Sequence, residues 1–307
     1  MIGIIKVFNV LKDKNKRFLF LAQRGYYNKM GDRDYIERLY EAKFGKRINL
    51  DSPQTYNEKL QWLKLFDRRP EYTTMVDKYA VKEYVAQRIG EKYIIPTLGV
   101  WERFEDINFE KLPNKFVLKC THDSGGLVIC KDKSNFDIDA AKAKINRSLK
   151  KNYYLLWREW PYKNVKPRII AEKYMEDSEP SCKGRPINDY KIYTFGGVAK
   201  MMMINSDRGI STRADYFDRE FNWLDFTWGY AHADKTPAKP QNYEKMFELA
   251  ERLAEGTPEL RVDFYEVDGK VYFGELTFFD GSGLDRIKPF EWDLKMGEWV
   301  TLPGKRA

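Results

Sequence analysis

The apolar positions of the chain change period along its length. In YIERLYEAKFG (35–45) and TYNEKLQWLKLFD (55–67) they recur at spacings of three and four, which predicts two amphipathic helices, with Asp51, Ser52 and Pro53 punctuating the gap. MVDKYAVKEYVAQRIG (75–90) reads as a further helix closed by Gly90, and IIPTLGVW (94–101) as the first strand. LPNKFVLKCTHDSGGLVICKD (112–132) predicts a hairpin with a polar, glycine-containing tip. A helix over 136–160 and a strand in PRIIAEKYM (167–175) follow it. DYKIYTFGGVAKMMMIN (189–205) is a hairpin turning at Gly196 and Gly197, NYEKMFELAERLAEG (242–256) a helix, and RVDFYEVDGKVYFGELT (261–277) a final hairpin. Helices come first, and hairpins interleaved with helices come after. That order predicts an α+β fold of antiparallel sheets with helices on one face.

The composition narrows the setting. A chain of 307 residues, 43% hydrophobic, can bury a core for one large domain or two to three lobes. No apolar run approaches the roughly eighteen residues of a membrane-spanning helix. The first residues lack the continuous apolar stretch of a secretory leader, so the expected location is cytoplasmic. Cys120, Cys130 and Cys182 form no CxxC pair, which fits a reducing compartment. With only His122 and His232 present, a histidine-rich metal centre is excluded, and a hard cation on oxygen ligands, Mg²⁺ before Zn²⁺, is the metal to expect. Residues 1–50 hold twelve Lys or Arg against five Asp or Glu, and the chain carries a net charge of +8. Such a basic end suits nucleic acid, anionic lipid or an acidic polymer, or is simply a solvated helix face.

Two stretches carry candidate chemistry. In VLKCTHDSGGLVIC, Lys119 leaves a strand beside a loop with Thr121, His122, Ser124, Gly125 and Gly126. Glycine amides, hydroxyls and a mobile ammonium suit phosphate oxygens, although an ordinary hairpin turn uses the same residues. In the last hairpin, Asp263 and Glu275 stand on successive strands. A two-residue turn at Asp268-Gly269 would pair 263 with 274 and send the two carboxylates to opposite faces. A three-residue loop bulged at Gly269 would bring them to one face as diagonal neighbours, with Arg261 and Thr277 beside them. Two carboxylates that close need a compensating cation, or else they form a solvated polar face.

Taken in order, TYNEKLQWLK, DKYAVKEYV, FVLKCTHDSGG, IIAEKYMED, NDYKIYTFGG, RVDFYEVDGKVYFGELTF and the tail after GSG resemble the ATP-grasp superfamily over about residues 35–303. They are most similar to its TupA-like branch, which belongs to teichuronopeptide and cell-surface polysaccharide biosynthesis. The resemblance implies two α+β lobes with antiparallel sheets clasping ATP, preceded by a helical N-terminal region. The expected division is 1–75 helical, 76–112 linking into the first lobe, 113–175 the first lobe with its phosphate loop, and 176–307 the second lobe with the metal hairpin. It also implies an ATP- and Mg²⁺-dependent ligase that activates a carboxylate as an acyl phosphate for attack by an amine or amino acid.

By the same resemblance Lys78 and Lys119 contact the nucleotide and the 121–126 loop closes over its phosphates. Glu172, Lys173, Tyr174 and Met175 form the adenine edge, and Asp189 or Glu179 holds the ribose. Lys191 faces the transferring phosphoryl group and Arg261 the acyl phosphate, while Asp263, Glu275 and Thr277 hold Mg²⁺. Many relatives have Asn where Thr277 stands, so Asp280 competes for the third place. Arg208 and Arg213 suit an acidic glycan or uronic-acid substrate, and IIKVFNVLKDKNKRFLF a peripheral membrane contact; no nucleic-acid partner is expected. The rival reading is a nucleotide-sugar glycosyltransferase, whose DxD metal motif is matched only by Asp137-Ile138-Asp139 at a helix start. A noncatalytic binder of nucleic acid or membrane would explain the basic start and leave the ordered motifs unexplained.

Overall fold

The computed structural model describes residues 12–178, 187–206 and 212–304. Among the described residues five α-helices precede the first strand: α1 (Lys14–Ala22), α2 (Asp32–Phe44), α3 (Tyr56–Phe66), α4 (Glu71–Val76) and α5 (Val81–Ile89). Thr55 and Glu58 start α3 as a reciprocal capping box. Phe18 and Ala22 of α1 pack with Tyr35, Leu39 and Tyr40 of α2, so the apolar face of this part of the basic end is turned inward. The single helix expected over 75–90 is broken. Asp77 turns the chain by accepting from the Tyr79 and Ala80 amides at 2.9 and 3.2 Å, and its other oxygen takes the Arg168 guanidinium at 2.6 Å.

The first sheet contains β1 (Thr97–Trp101), β2 (Phe116–Cys120), β3 (Leu127–Cys130) and β4 (Ile169–Lys173), in the spatial order β1-β4-β2-β3 and antiparallel throughout. Strands β3 and β4 are joined through α6 (Ile138–Leu149) and α7 (Tyr154–Trp157), two helices where one was expected. The Asn152 side chain accepts from the Tyr154 amide and restarts the chain there. Ala141 and Ile145 of α6 cover one face of the sheet, over Phe116, Leu118 and Cys120. Asp137 caps α6 by accepting from the Ala140 amide at 2.8 Å, so the DxD stretch is a helix start.

The second sheet has six strands. Strands β5 (Asp189–Phe195), β6 (Val198–Ser206), β7 (Arg213–Asp218) and β8 (Trp223–Leu224) precede β9 (Thr227–Trp228), which lies apart, and the helix α8 (Tyr243–Ala254). Strands β10 (Glu259–Val267) and β11 (Lys270–Thr277) complete it, in the order β11-β10-β5-β6-β7-β8. Met246, Phe247, Leu249, Ala250 and Leu253 of α8 are buried in the main core with the apolar residues of this sheet. That leaves the opposite face for polar groups. The chain ends with β12 (Ile287–Lys288), paired to β9, and α9 (Phe290–Trp299), which packs on α3. No helix among the described residues is long and apolar enough to cross a membrane.

Candidate active site

The last hairpin has the tight turn: Asp268 and Gly269 have φ of 50° and 67°, and Val267 pairs with Lys270. With a regular ladder that turn would set the two carboxylates on opposite faces. The ladder shifts instead after Asp263, so that Phe264 pairs with Phe273, Asp263 with Glu275 and Arg261 with Thr277, and Gly274 is the extra residue. A Cβ at Gly274 would sit 3.1 Å from the Asp263 carbonyl oxygen, which explains why the bulge falls on a glycine. The carboxylates therefore share a face as expected, but the bulge that unites them is at Gly274 and not at Gly269.

Arg261 is the centre of that face. Its Nε donates to Asp263 Oδ1 at 2.7 Å, its Nη2 to Asp263 Oδ2 at 2.9 Å and Glu275 Oε1 at 3.0 Å, and its Nη1 to Asp280 Oδ1 at 2.6 Å. Strand β5 adds Lys191, which pairs in register with Asp263, bonds its carboxylate, and lies 2.6 Å from Asp189 Oδ2. Burial alone would raise the Asp263 carboxyl, but Arg261 and Lys191 outweigh it and hold it below the ordinary range. Asp280 gives its oxygens to Arg261 and to the Tyr193 hydroxyl. Thr277 remains as the hydroxyl beside the carboxylate pair. The Glu275 side chain is 42% exposed where that of Asp263 is 2%, so only Glu275 opens widely to solvent.

On the first sheet, Lys119 of β2 pairs with Glu172 of β4 at 2.7 Å. Lys82 of α5 binds the other oxygen of the same carboxylate at 2.5 Å. Burial raises the Glu172 carboxyl, and the two ammonium groups overcome that and leave it lowered. Lys119 and Glu172 lie on the face of the first sheet opposite α6, with Leu127 and Ile129 at its β3 end 41% and 49% exposed.

The 121–126 loop is differently built from expectation. Thr121 and His122 are buried and spend their side chains inward, Thr121 between the Lys166 carbonyl and the Arg168 amide, His122 on the Ser148 carbonyl at 3.2 Å. Asp123 pins the turn by accepting from the Gly126 amide at 3.0 Å and from the Ser148 hydroxyl, and its carbonyl accepts from Lys78 Nζ. Gly126 is buried, and a Cβ there would lie 2.6 Å from Cys120 Sγ. Ser124 and Gly125 are left exposed at the tip. Lys173 ends β4 in an exposed position, and Tyr174 and Met175 follow it half-buried. Arg213 starts β7, where its carbonyl accepts from Asn205 at 3.3 Å. Glu179 and Arg208 lie outside the described residues.

Two joined chambers of about 340 and 430 Å³ open beside Arg261 and share Ser124, Arg261, Asp280, Gly281 and Asp285; Lys119, Glu172 and the 173–175 edge line neither. The first also exposes Lys78, Glu275 and Thr277, the second Asp189 and Lys191. Sequence reasoning missed Lys82, whose place on α5 looks like any solvated helix position, and Asp123, whose signal was the turn-forming Asp before Ser-Gly-Gly. It also missed Glu159 and Lys64, which only the packing of α3 behind the cleft brings together.

A cleft lined by the ammonium groups of Lys78 and Lys191, with paired carboxylates on one hairpin, suits a polyanion together with a hard cation. The TupA-like ATPgrasp family model matches residues 58–301, and the chain belongs to that family. Similar solved structures include D-alanine–D-alanine ligase from Bacillus anthracis complexed with ATP, at 16% identity and TM-score 0.38 over 67% of this chain and 54% of that one. The ADP complex of N5-carboxyaminoimidazole ribonucleotide synthetase is matched at 14% identity and TM-score 0.42 over 72% and 50%. A RimK domain ATP-grasp protein from Sphaerobacter thermophilus is matched at 14% and 0.38 over 75% and 69%. The chain spans about half the length of the first of these solved structures. No curated protein is matched.

ATP-grasp enzymes use ATP and Mg²⁺. Among the described residues no three His, Cys, Asp or Glu side chains gather around one point. Glu275 and Thr277 line the first chamber and fit Mg²⁺, an ion ordinarily held by one or two carboxylates with phosphate and water completing its shell; Asp263 spends its oxygens on Arg261 and Lys191 and lines neither chamber, so it joins that shell only where a bound cation displaces those partners.

Proposed function

We propose that this chain is an ATP- and Mg²⁺-dependent ligase that joins a carboxylate to an amine. The γ-phosphoryl group passes to a carboxylate oxygen, giving ADP and an acyl phosphate. The amine then displaces phosphate and loses a proton. The observation that carries this reading is Arg261, buried and held by Asp263, Glu275 and Asp280 at the junction of both chambers. A guanidinium fixed in place needs little reorganisation when charge develops on an acyl phosphate beside it.

The other roles rest on the resemblance to the family. Lys78, Lys119 and the Ser124-Gly125 tip hold phosphate oxygens, and the edge from Lys173 to Met175 holds the adenine. Asp189 takes the ribose, and Lys191 lies along the path of the transferred group. Asp263, Glu275 and Thr277 hold Mg²⁺, which when bound neutralises phosphate charge during transfer. The chain divides into a helical region to residue 75, a first lobe to residue 175 entered through 76–112, and a second lobe from 176 onward. The carboxylate is that of a uronic acid in a cell-surface polysaccharide precursor; the likeness to the TupA-like branch and the basic surplus of residues 1–50 support that substrate.

The test is an ADP-release screen of amines and amino acids against uronic-acid glycans, with mass spectrometry of the product. Amide with ADP and phosphate is the expected result, and a nucleoside diphosphate released from a sugar donor would replace this reading with a glycosyltransferase. Glu275→Gln should slow ligation about a hundredfold. Ligation at the wild-type rate would remove Glu275 from the metal site.

A further inference from the structure

One carboxylate on the two chambers is left unspent. In the second chamber Lys191 is engaged by Asp189 and Asp263, and Arg261 by Asp263, Glu275 and Asp280. Asp285 has no such match. Among the described residues its side chain makes no hydrogen bond or ion pair, although it is half-buried and lines both chambers. Its backbone is fixed, since its carbonyl accepts from Asn57 Nδ2 at 3.1 Å. Burial raises the Asp285 carboxyl; Lys43, across the first chamber and with no ion pair to it, opposes that, and the Asp280 carboxylate adds to it.

Aromatic residues line the second chamber together with Asp285. Ile287 pairs with Trp228 and Lys288 with Thr227, and the chain bends beyond that pair, where Tyr230 bridges back to Trp228. Gly229 lies between, and a Cβ on it would sit 3.9 Å from Asp285 Oδ2. Gly281, with φ of 54°, passes the carboxylate so closely that a Cβ would stand 2.6 Å from the same oxygen. Two glycines thus leave the carboxylate room, and Tyr216, Trp228 and Tyr230 share the chamber with it, Tyr230 at 49% exposure. An unmatched carboxylate among aromatic faces favours a desolvated organic cation, through a charge-assisted hydrogen bond and cation–π attraction.

We propose that Asp285, with Trp228 and Tyr230, receives the ammonium group of a cationic substrate in the second chamber and sets the preference for a charged amine over a neutral molecule of the same shape. This deepens the ligase reading by assigning the place of the amine, and it rests on that reading for the amine's role as acceptor.

Calorimetric titration of the full chain with cyclohexylammonium and with its neutral counterpart cyclohexanol tests it, each with and without ADP and Mg²⁺. Wild type should bind the cation about tenfold or more tightly than the alcohol, the equivalent of one charged hydrogen bond. Asp285→Asn should remove that preference. Tyr230→Ala, at an exposed position that tolerates truncation, should weaken the cation about tenfold as well. Equal affinity for cation and alcohol in wild type would overturn the proposal, as would a preference that survives in both variants. A chain that binds no ADP overturns the ligase reading; one that binds ADP and ignores the amine's charge overturns this inference alone.

Discussion

Asp263 and Glu275 face each other directly across β10 and β11, and the Nη2 of Arg261 donates to both. Their equivalence ends there. Asp263 is buried with Arg261 and Lys191, whereas Glu275 opens to solvent.

Substitution should separate the two. Arg261→Ala leaves Asp263 without its bidentate partner in a buried site and should lower the unfolding free energy by about 3 to 5 kcal/mol, read by denaturant titration. Glu275→Gln should change it by less than about 1 kcal/mol while weakening the dependence of ADP affinity on Mg²⁺ about tenfold or more. A large loss of stability in Glu275→Gln would show that the carboxylate serves the fold.

The Glu172 triad predicts an acid response. Because the folded carboxyl is lowered from its ordinary 4.5, its contribution is full above pH 4.5 and is lost as pH falls through the folded value. Replacing Lys82 and Lys119 together by Met should raise that carboxyl and move the acid-unfolding midpoint to higher pH. Circular dichroism against pH checks it, and an unchanged midpoint would contradict the triad.

Lys64 predicts the opposite edge of the profile. It is fully buried behind the cleft, donating to Gln61 at 3.0 Å and to the carbonyls of Trp157 and Ser282 at 3.0 and 2.7 Å, and burial lowers its ammonium to about 8. Between that value and the ordinary 10.5 the unfolded chain holds more protons than the folded one, so stability rises with pH through this window. In Lys64→Met that rise should flatten. The Ser282 carbonyl then loses the Lys64 donor, and exchange of amides in the 280–283 loop, which lines the first chamber, should quicken.

Gly126→Ala should destabilise by about 1 to 3 kcal/mol, because the added methyl meets Cys120 and Ser148 below the loop. Gly125→Ala, where nothing lies within 4 Å, is the control and should melt like wild type.

Much of this was legible beforehand where local chemistry decides. The period of three and four in TYNEKLQWLKLFD, with its Thr-x-x-Glu start, could only settle as a capped helix, and Asp-Gly in the last hairpin made the tight turn that such a pair favours. Where long-range contacts compete with pattern, the reading slipped. One continuous helix over 75–90 fails because Asp77 finds Arg168, ninety-one residues away, and Thr121 and His122 turn inward because Lys166, Arg168 and Ser148 offer partners that no local pattern announces.

The sequence by itself determined most of the elements, the hard-cation chemistry open to a chain with two histidines, and the family to which the ordered motifs point. Tertiary structure decided which side chains work together: the bulge at Gly274 that turns Asp263 and Glu275 to one face, the claim of Arg261 and Tyr193 on Asp280, and the unmatched carboxylate of Asp285. The reason is physical. Periodicity and caps act over one or two turns of chain, while the facing of a strand residue depends on register, which a single extra residue reverses.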